Sequence, residues 1–175
     1  MGSCYSFVNN IILDNELKKL DDTIELFDLK GMEYNAKVVD VYDGDTCTIV
    51  IRLNNNWTKF KLRALGYDTP EMKPPKDINN RDELINMAIK SRNYYTSRIT
   101  NCDIDLDKHY NKKEMKELLK NNTKLVKVKS YGWDKYGRFL GEIFVDQVNI
   151  NEEMIDKQYA YLYDGGTKKT FDIKI

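Results

Sequence analysis

Histidine is almost missing from this chain: His109 is the single one in 175 residues. Histidine-rich metal sites and nucleophiles activated by an imidazole have little to work with, so carboxylates and arginines must carry any reaction. Cysteine is sparse too. Cys4, Cys47 and Cys102 lie far apart and form no C-x-x-C pair, so neither a disulfide framework nor a zinc site can be read from them, and a reducing compartment fits. The apolar positions around Val8 and Ile11 to Leu13 are short and interrupted by asparagine, which argues against a signal peptide or a membrane span. An intracellular protein that is not secreted is expected. Net charge is lacking as well, with 28 basic residues against 28 acidic ones. The balance is uneven: residues 1–33 hold three of the lysines and seven of the acids, leaving residues 34–175 with 25 against 21, a mildly basic body.

A chain of this length buries one sizeable core and is short for two ordinary domains. The expected organisation is a tail over 1–33 and a single domain over 34–175. Met1-Gly2-Ser3-Cys4-Tyr5-Ser6 fits the acylation pattern M-G-x-x-x-[ST], with Gly2 as myristoyl acceptor and Cys4 as the palmitoyl site that turns marginal binding at a membrane surface into stable anchoring. A plain solvated start is the competing interpretation. Leu13, Leu17, Leu20 and Ile24 recur at helical spacing and predict a short amphipathic helix covering part of the core before a turn at Lys30-Gly31.

From Ala36 the period changes to two. Strands are predicted at Ala36 to Val41, at Cys47 to Leu53 with Cys47, Ile49, Ile51 and Leu53 on one face, and at Lys59 to Leu65, joined by turns at Asp43-Gly44 and Asn54-Asn55-Asn56. The three prolines, Pro70, Pro74 and Pro75, bracket a loop. A helix follows from Arg81 to about Thr100, with Leu84, Ala88, Tyr95 and Ile99 as its buried stripe. A shorter helix at about Lys112 to Lys120 reads as part of an insertion spanning about 102–123. Strands at Leu125 to Ser130 and Phe139 to Val145 precede a helix that Asn151 is placed to cap. Three strands, a helix, two strands and a helix make an α+β chain with about three helices, built on a five-stranded Greek-key barrel of the OB type.

Two acidic clusters stand at strand ends, Asp43-Gly44-Asp45-Thr46 and Asp68-Thr69-Pro70-Glu71. Where neighbouring strand ends meet, such oxygens suit calcium or magnesium. Each cluster alone is an ordinary turn. Arg63 lies five residues before the second cluster, and Arg138 ends Asp134-Lys135-Tyr136-Gly137-Arg138 just before a strand. Guanidiniums donate paired hydrogen bonds to phosphate oxygens, so two of them near a carboxylate-bound metal point to a phosphate clamp. A surface salt bridge is the ordinary fate of either arginine by itself.

VVDVYDGDT (Val38 to Thr46), KLRALGYDTPE (Lys61 to Glu71), DKYGR followed by FLGEIFV (Asp134 to Val145) and VNINEEMI (Val148 to Ile155), in that order, resemble the staphylococcal nuclease-like, or thermonuclease, family over most of residues 34–163. The resemblance implies an OB-fold barrel holding one calcium ion, with Asp45 and Asp68 as side-chain ligands and the Thr69 backbone carbonyl as a further one. It makes Glu71 the general base, or the group that orients the attacking water, and it gives Arg63 and Arg138 the scissile phosphate. Asp43 falls to an outer position. Tyr161 and Tyr163 reach the region where the family stacks a base, with packing against the barrel as the alternative. The implied activity is calcium-dependent endonucleolytic hydrolysis of DNA or RNA by a monomer, leaving 3′-phosphate ends. The shorter bacterial enzymes have no clear counterpart of the segment around Cys102 to Thr123. A catalytically inactive module that binds nucleic acid or protein is the main rival, and a membrane-tethered scaffold is a second.

Overall fold

The computed structural model describes residues 12–166. Alternation decides its strands. Cys47, Ile49 and Ile51 are buried along β2 (Thr46–Leu53) while the residues between them are not, and Phe139, Gly141, Ile143 and Val145 do the same along β6 (Phe139–Val145). With side chains pointing alternately to opposite faces, such a pattern places one face of each strand in a core and the other in water. β1 (Glu33–Val41) and β5 (Leu125–Trp133) largely follow suit, while β3 (Asn56–Ala64) ends in three consecutive buried residues, Leu62, Arg63 and Ala64. The sheet runs in the order β3-β2-β1-β5-β6, and β3 also pairs with β6 in parallel through Leu62↔Phe139, Arg63↔Leu140 and Ala64↔Gly141. That last pairing closes the five strands into the expected barrel and leaves the closed sheet without an edge. β2 and β3 are joined by a two-residue turn at Asn54 and Asn55, both at positive φ (47° and 65°), the backbone that a tight hairpin requires.

The remaining elements are β4 (Tyr67–Asp68), α1 (Arg81–Arg98), α2 (Lys112–Asn122), β7 (Val148–Asn149), α3 (Ile150–Asp156) and β8 (Tyr161–Leu162). α1 buries Leu84, Ala88 and Tyr95, and Ile99 just beyond it, as its apolar stripe predicts. It also buries polar residues that the stripe does not reveal. Asn93 donates to the carbonyls of Asp105, Leu106 and Lys108 at 3.0, 3.1 and 2.8 Å, and Arg92 donates to the Tyr110 carbonyl at 3.0 Å. These bonds fold the 102–110 loop against α1, and Asn111 then starts α2 with a capping box that it shares with Glu114.

Two expectations need correction. Within the described part of the tail only residues 12–17 are helical, and Leu13, Leu17, Leu20 and Ile24 are 59, 67, 55 and 60% exposed. Their apolar side chains meet solvent, and the core takes Leu29 instead, 2% exposed, just before Gly31 hydrogen-bonds to Ser130. The cap of α3 is Asn149, whose side chain accepts from the Asn151 N–H. Asn151 itself is buried: it accepts from the Ile143 N–H at 3.1 Å and donates to the carbonyls of Leu65 and Gly141 at 2.9 and 3.2 Å. Its amide thus pins α3 to the seam where β3 meets β6. Gly2 and Cys4 lie outside the described residues. No helix among the described residues is long and apolar enough to cross a membrane.

Candidate active site

The seam that closes the barrel also assembles the site. Arg63 lies on β3 opposite Thr46 of β2, so the residue preceding Thr46, Asp45, falls beside its head group. β4 follows after the bend at Gly66, whose φ is +85°, and brings Asp68 to the other side. The guanidinium spans both acids: Nη1 lies 3.2 Å from Asp45 Oδ1 and Nη2 lies 2.6 Å from Asp68 Oδ1. The remaining carboxylate oxygens are also bonded. Asp45 Oδ2 accepts the N–H and the hydroxyl of Thr69 at 3.0 and 2.9 Å. Asp68 Oδ2 accepts the Tyr161 hydroxyl at 2.7 Å. Tyr161 reaches that position because β8 pairs with β4 through Asp68↔Tyr161, a two-residue ladder too short to be read from sequence.

Asp43, Asp45 and Asp68 are 7, 6 and 2% exposed, and Arg63 is 8% exposed. Burial, with help from the Asp45 charge, pushes the Asp43 carboxyl up to about 8. Burial also raises Asp45, against the downward pull of Arg63 and with an upward push from Asp68. Arg92 acts on Asp43 from α1. Three buried carboxyls thus crowd one guanidinium, and because burial disfavours their charged form, a calcium or magnesium ion, for which such hard oxygens are suited, would favour their ionisation on binding. Among the described residues no group of three His, Cys, Asp or Glu converges as a ligand set. Arg63 holds one oxygen of Asp45 and one of Asp68, so a bound cation would share the two acids with it.

Gly44 makes the acidic turn possible for a reason the sequence does not announce. Its φ is not positive, so the turn is not the usual Asp-Gly hairpin; instead a Cβ there would stand 2.1 Å from Ser91 Oγ and 2.8 Å from Thr69 Cγ2. The missing side chain lets the turn press against α1. Tyr67 locks it by donating to the Gly44 carbonyl at 2.8 Å.

Asp45, Arg63, Glu71 and Arg138 all line one cleft of about 670 Å³. Asp68 and Thr69 sit directly behind it through the bonds just described. Arg138 enters from a turn: Asp134 Oδ1 accepts the N–H groups of Tyr136 and Arg138, both at 2.8 Å, and its Oδ2 lies 2.6 Å from Arg138 Nε. Tyr163 lines the cleft as well. Residues not foreseen as part of it include Tyr42 and Tyr136, 55 and 72% exposed, with the Arg138 guanidinium 5.5 Å from the Tyr136 ring centre. Tyr136 was legible only as the middle of a turn motif, because nothing in a sequence fixes which way a turn tyrosine faces.

The family described as staphylococcal nuclease homologues matches residues 61–173. The chain belongs to that family. Staphylococcal nuclease homologues are generally hydrolases of nucleic acid and generally depend on calcium. The matched stretch contains Arg63, Asp68, Thr69, Glu71, Arg138, Tyr161 and Tyr163, while Asp43 and Asp45 precede it. A similar protein is the uncharacterized protein MJ1439 of Methanocaldococcus jannaschii, 32% identical over 136 residues, which are 74% of this chain. The alignment spans 59% of that protein's length.

Proposed function

We propose that the chain is a calcium-dependent nuclease that hydrolyses phosphodiester bonds in DNA or RNA and leaves 3′-phosphate ends. The observation that carries this is the convergence of Arg63, Glu71, Arg138 and Asp45 on one cleft, with Asp68 and Thr69 bonded to Arg63 and Asp45 behind it. Asp45, Asp68 and the Thr69 carbonyl are the groups that would hold calcium, whose contribution when bound is to polarise a phosphoryl oxygen. Glu71, exposed at the cleft wall and outside the buried cluster, takes a proton from, or orients, the attacking water. The water oxygen bonds to phosphorus, the bond from phosphorus to the 5′-oxygen breaks, and that oxygen leaves as a hydroxyl after taking a proton from solvent. Arg63 and Arg138 donate to the phosphate oxygens, favouring the extra charge of the pentacoordinate transition state over the ground state. The exposed ring of Tyr136 and the half-buried ring of Tyr163 offer faces on which a flanking base stacks.

One observation favours a second reading. Arg63 already pairs with both Asp45 and Asp68, as it would in a module that only binds nucleic acid. Cleavage of single-stranded DNA, duplex DNA and RNA with calcium, magnesium or chelator separates the two. Calcium-dependent products ending in 3′-phosphate, reduced about 10²–10⁴-fold in Glu71→Gln and lost in Arg63→Ala, are expected. Tight binding with no cleavage in any ion would leave the binding module.

A further inference from the structure

The cleft does not end at the site. At Asp40 and Thr48 it meets a second cleft of about 460 Å³ whose walls include Lys37, Lys59, Lys116 and Lys120. Two rows of cations flank the continuous groove. On β3, Lys59, Lys61 and Arg63 stand two residues apart, so all three project from the same face of the strand. On α2, Lys112, Lys116 and Lys120 stand four residues apart and share one face of the helix. Lys112 and Lys61 line the site end, and Lys116, Lys120 and Lys59 line the extension. Asp40 is the acid that lines both clefts.

A row of lysines on a helix is ordinarily a solvated face, but α2 is two-sided. Glu114 and Glu117 line a different cleft together with Lys108 and Lys113, and Glu114 pairs with Lys108 at 3.4 Å. The acids that would offset the lysine row thus face away from the groove. Among the described residues, none of Lys59, Lys61, Lys112, Lys116 and Lys120 is in an ion pair. Like charges four residues apart oppose helix formation, so tertiary packing must hold α2 in place. It is present: Met115 and Leu119 are 1 and 0% exposed, Asn93 fixes the preceding loop, and Lys37 Nζ donates to the Lys120 carbonyl at 3.2 Å. The row is therefore rigidly aimed along the groove.

We infer that α2 is the second wall of a nucleic-acid groove, holding the phosphates of a strand that passes through the site and continues several nucleotides beyond it between α2 and β3. This rests on the nuclease reading and gives the 102–123 segment a role in it. From Lys112 to Lys120 the helix rises about 12 Å, the axial span of about three to four phosphates along one B-form strand. A concave groove with cations on both sides suits a strand, whereas a flat anionic membrane would meet only one row at a time.

The test is equilibrium binding of fluorescent oligothymidylates of about three and about 20 nucleotides, in chelator so that nothing is cleaved, over a range of salt. The double variant Lys116→Gln/Lys120→Gln is compared with wild type and with Lys113→Gln on the opposite face. For the long strand the double variant loses about tenfold in affinity at low salt, and its salt slope falls by about 1.4, or about 0.7 for each phosphate no longer neutralised. The short strand loses much less, and Lys113→Gln binds as wild type does. An unchanged salt slope overturns the inference, as does a variant that releases phosphatidylserine vesicles yet keeps its hold on the long strand. Failure of the nuclease reading is visible separately: a wild type that binds with the α2-dependent slope but never cleaves with calcium sinks the activity and leaves the groove. Cleavage that depends on Glu71 but is indifferent to α2 does the reverse.

Discussion

Arg63 and Arg138 reach the same cleft from opposite kinds of structure. Arg63 sits in a strand at the barrel seam, 8% exposed, with two carboxylates and the Ala64 carbonyl as partners. Arg138 stands at the end of a turn, its side chain 29% exposed, with Asp134 as its acidic partner. The carboxyl of Asp134 feels burial pushing it up, but the Arg138 and Tyr136 N–H groups and the Arg138 guanidinium outweigh that and hold it below the usual carboxylate range. The chemistry is the same at both ends and the energetic setting is not. At the buried end a cation is part of what makes the fold possible; at the turn it adds little to stability and is available to substrate.

The sharpest way to break the comparison is to remove each guanidinium and measure stability rather than activity. Arg63→Gln leaves two buried acids without their cation and is expected to cost about 3–5 kcal/mol in denaturant unfolding. Added calcium restores part of that loss in unfolding midpoint, because the surplus negative charge then has a partner. Arg138→Gln is expected to cost under about 1 kcal/mol, since the turn's backbone donors to Asp134 survive it. Equal losses would mean that the two ends are not distinct. Gly44→Ala falls between them. Its Cβ would meet Ser91 Oγ at 2.1 Å, and relieving that overlap moves the turn that carries Asp43 and Asp45, for about 1–3 kcal/mol. A stability equal to wild type would show that α1 yields easily and that the buried end is softer than its packing indicates.

The same contrast governs what was legible in the sequence. Strand alternation around Cys47, Ile49 and Ile51 and the helical stripe Leu84, Ala88, Tyr95 and Ile99 predicted the barrel and α1, because burial of one face imposes its period on the residues. Asp45, Arg63 and Asp68 were candidates because they occur together, in order, within segments that resemble the nuclease family, although each alone is an ordinary turn or surface residue. Their mutual arrangement was not legible: Arg63 lies between the two acids through the β2–β3 register and the bend at Gly66, and Tyr161 reaches Asp68 through β4–β8, a ladder of two residues set by tertiary packing. The tail failed for the complementary reason. Leu13, Leu17, Leu20 and Ile24 have helical spacing, but spacing specifies a face and says nothing of whether a surface waits to cover it. Asn151 looked like a cap because asparagine favours caps; its position beneath the seam gave it buried carbonyls to bind instead.

Cys47 offers the smallest effect and a direct view of how closed the buried end is. Its thiol accepts a hydrogen bond from Tyr95 at 3.3 Å and is 2% exposed, and burial is the main cause that pushes its pKa up to about 12. Thiol reagents attack the thiolate, so at about pH 8 Cys47 is expected to label only at the rate of unfolding. Cys102, half-buried on the loop before α2, is expected to label in the native protein. Raising the pH by about one unit leaves Cys47 limited by opening of the fold. Mass-resolved labelling of the two peptides in wild type and Arg63→Gln then reports the effect of losing the guanidinium: the variant's Cys47 labels faster because its fold opens faster. If native Cys47 labels as fast as Cys102, solvent already reaches the floor beneath Asp45. The stability cost of Arg63→Gln should then shrink toward that of Arg138→Gln, because water rather than protein would be screening the acids.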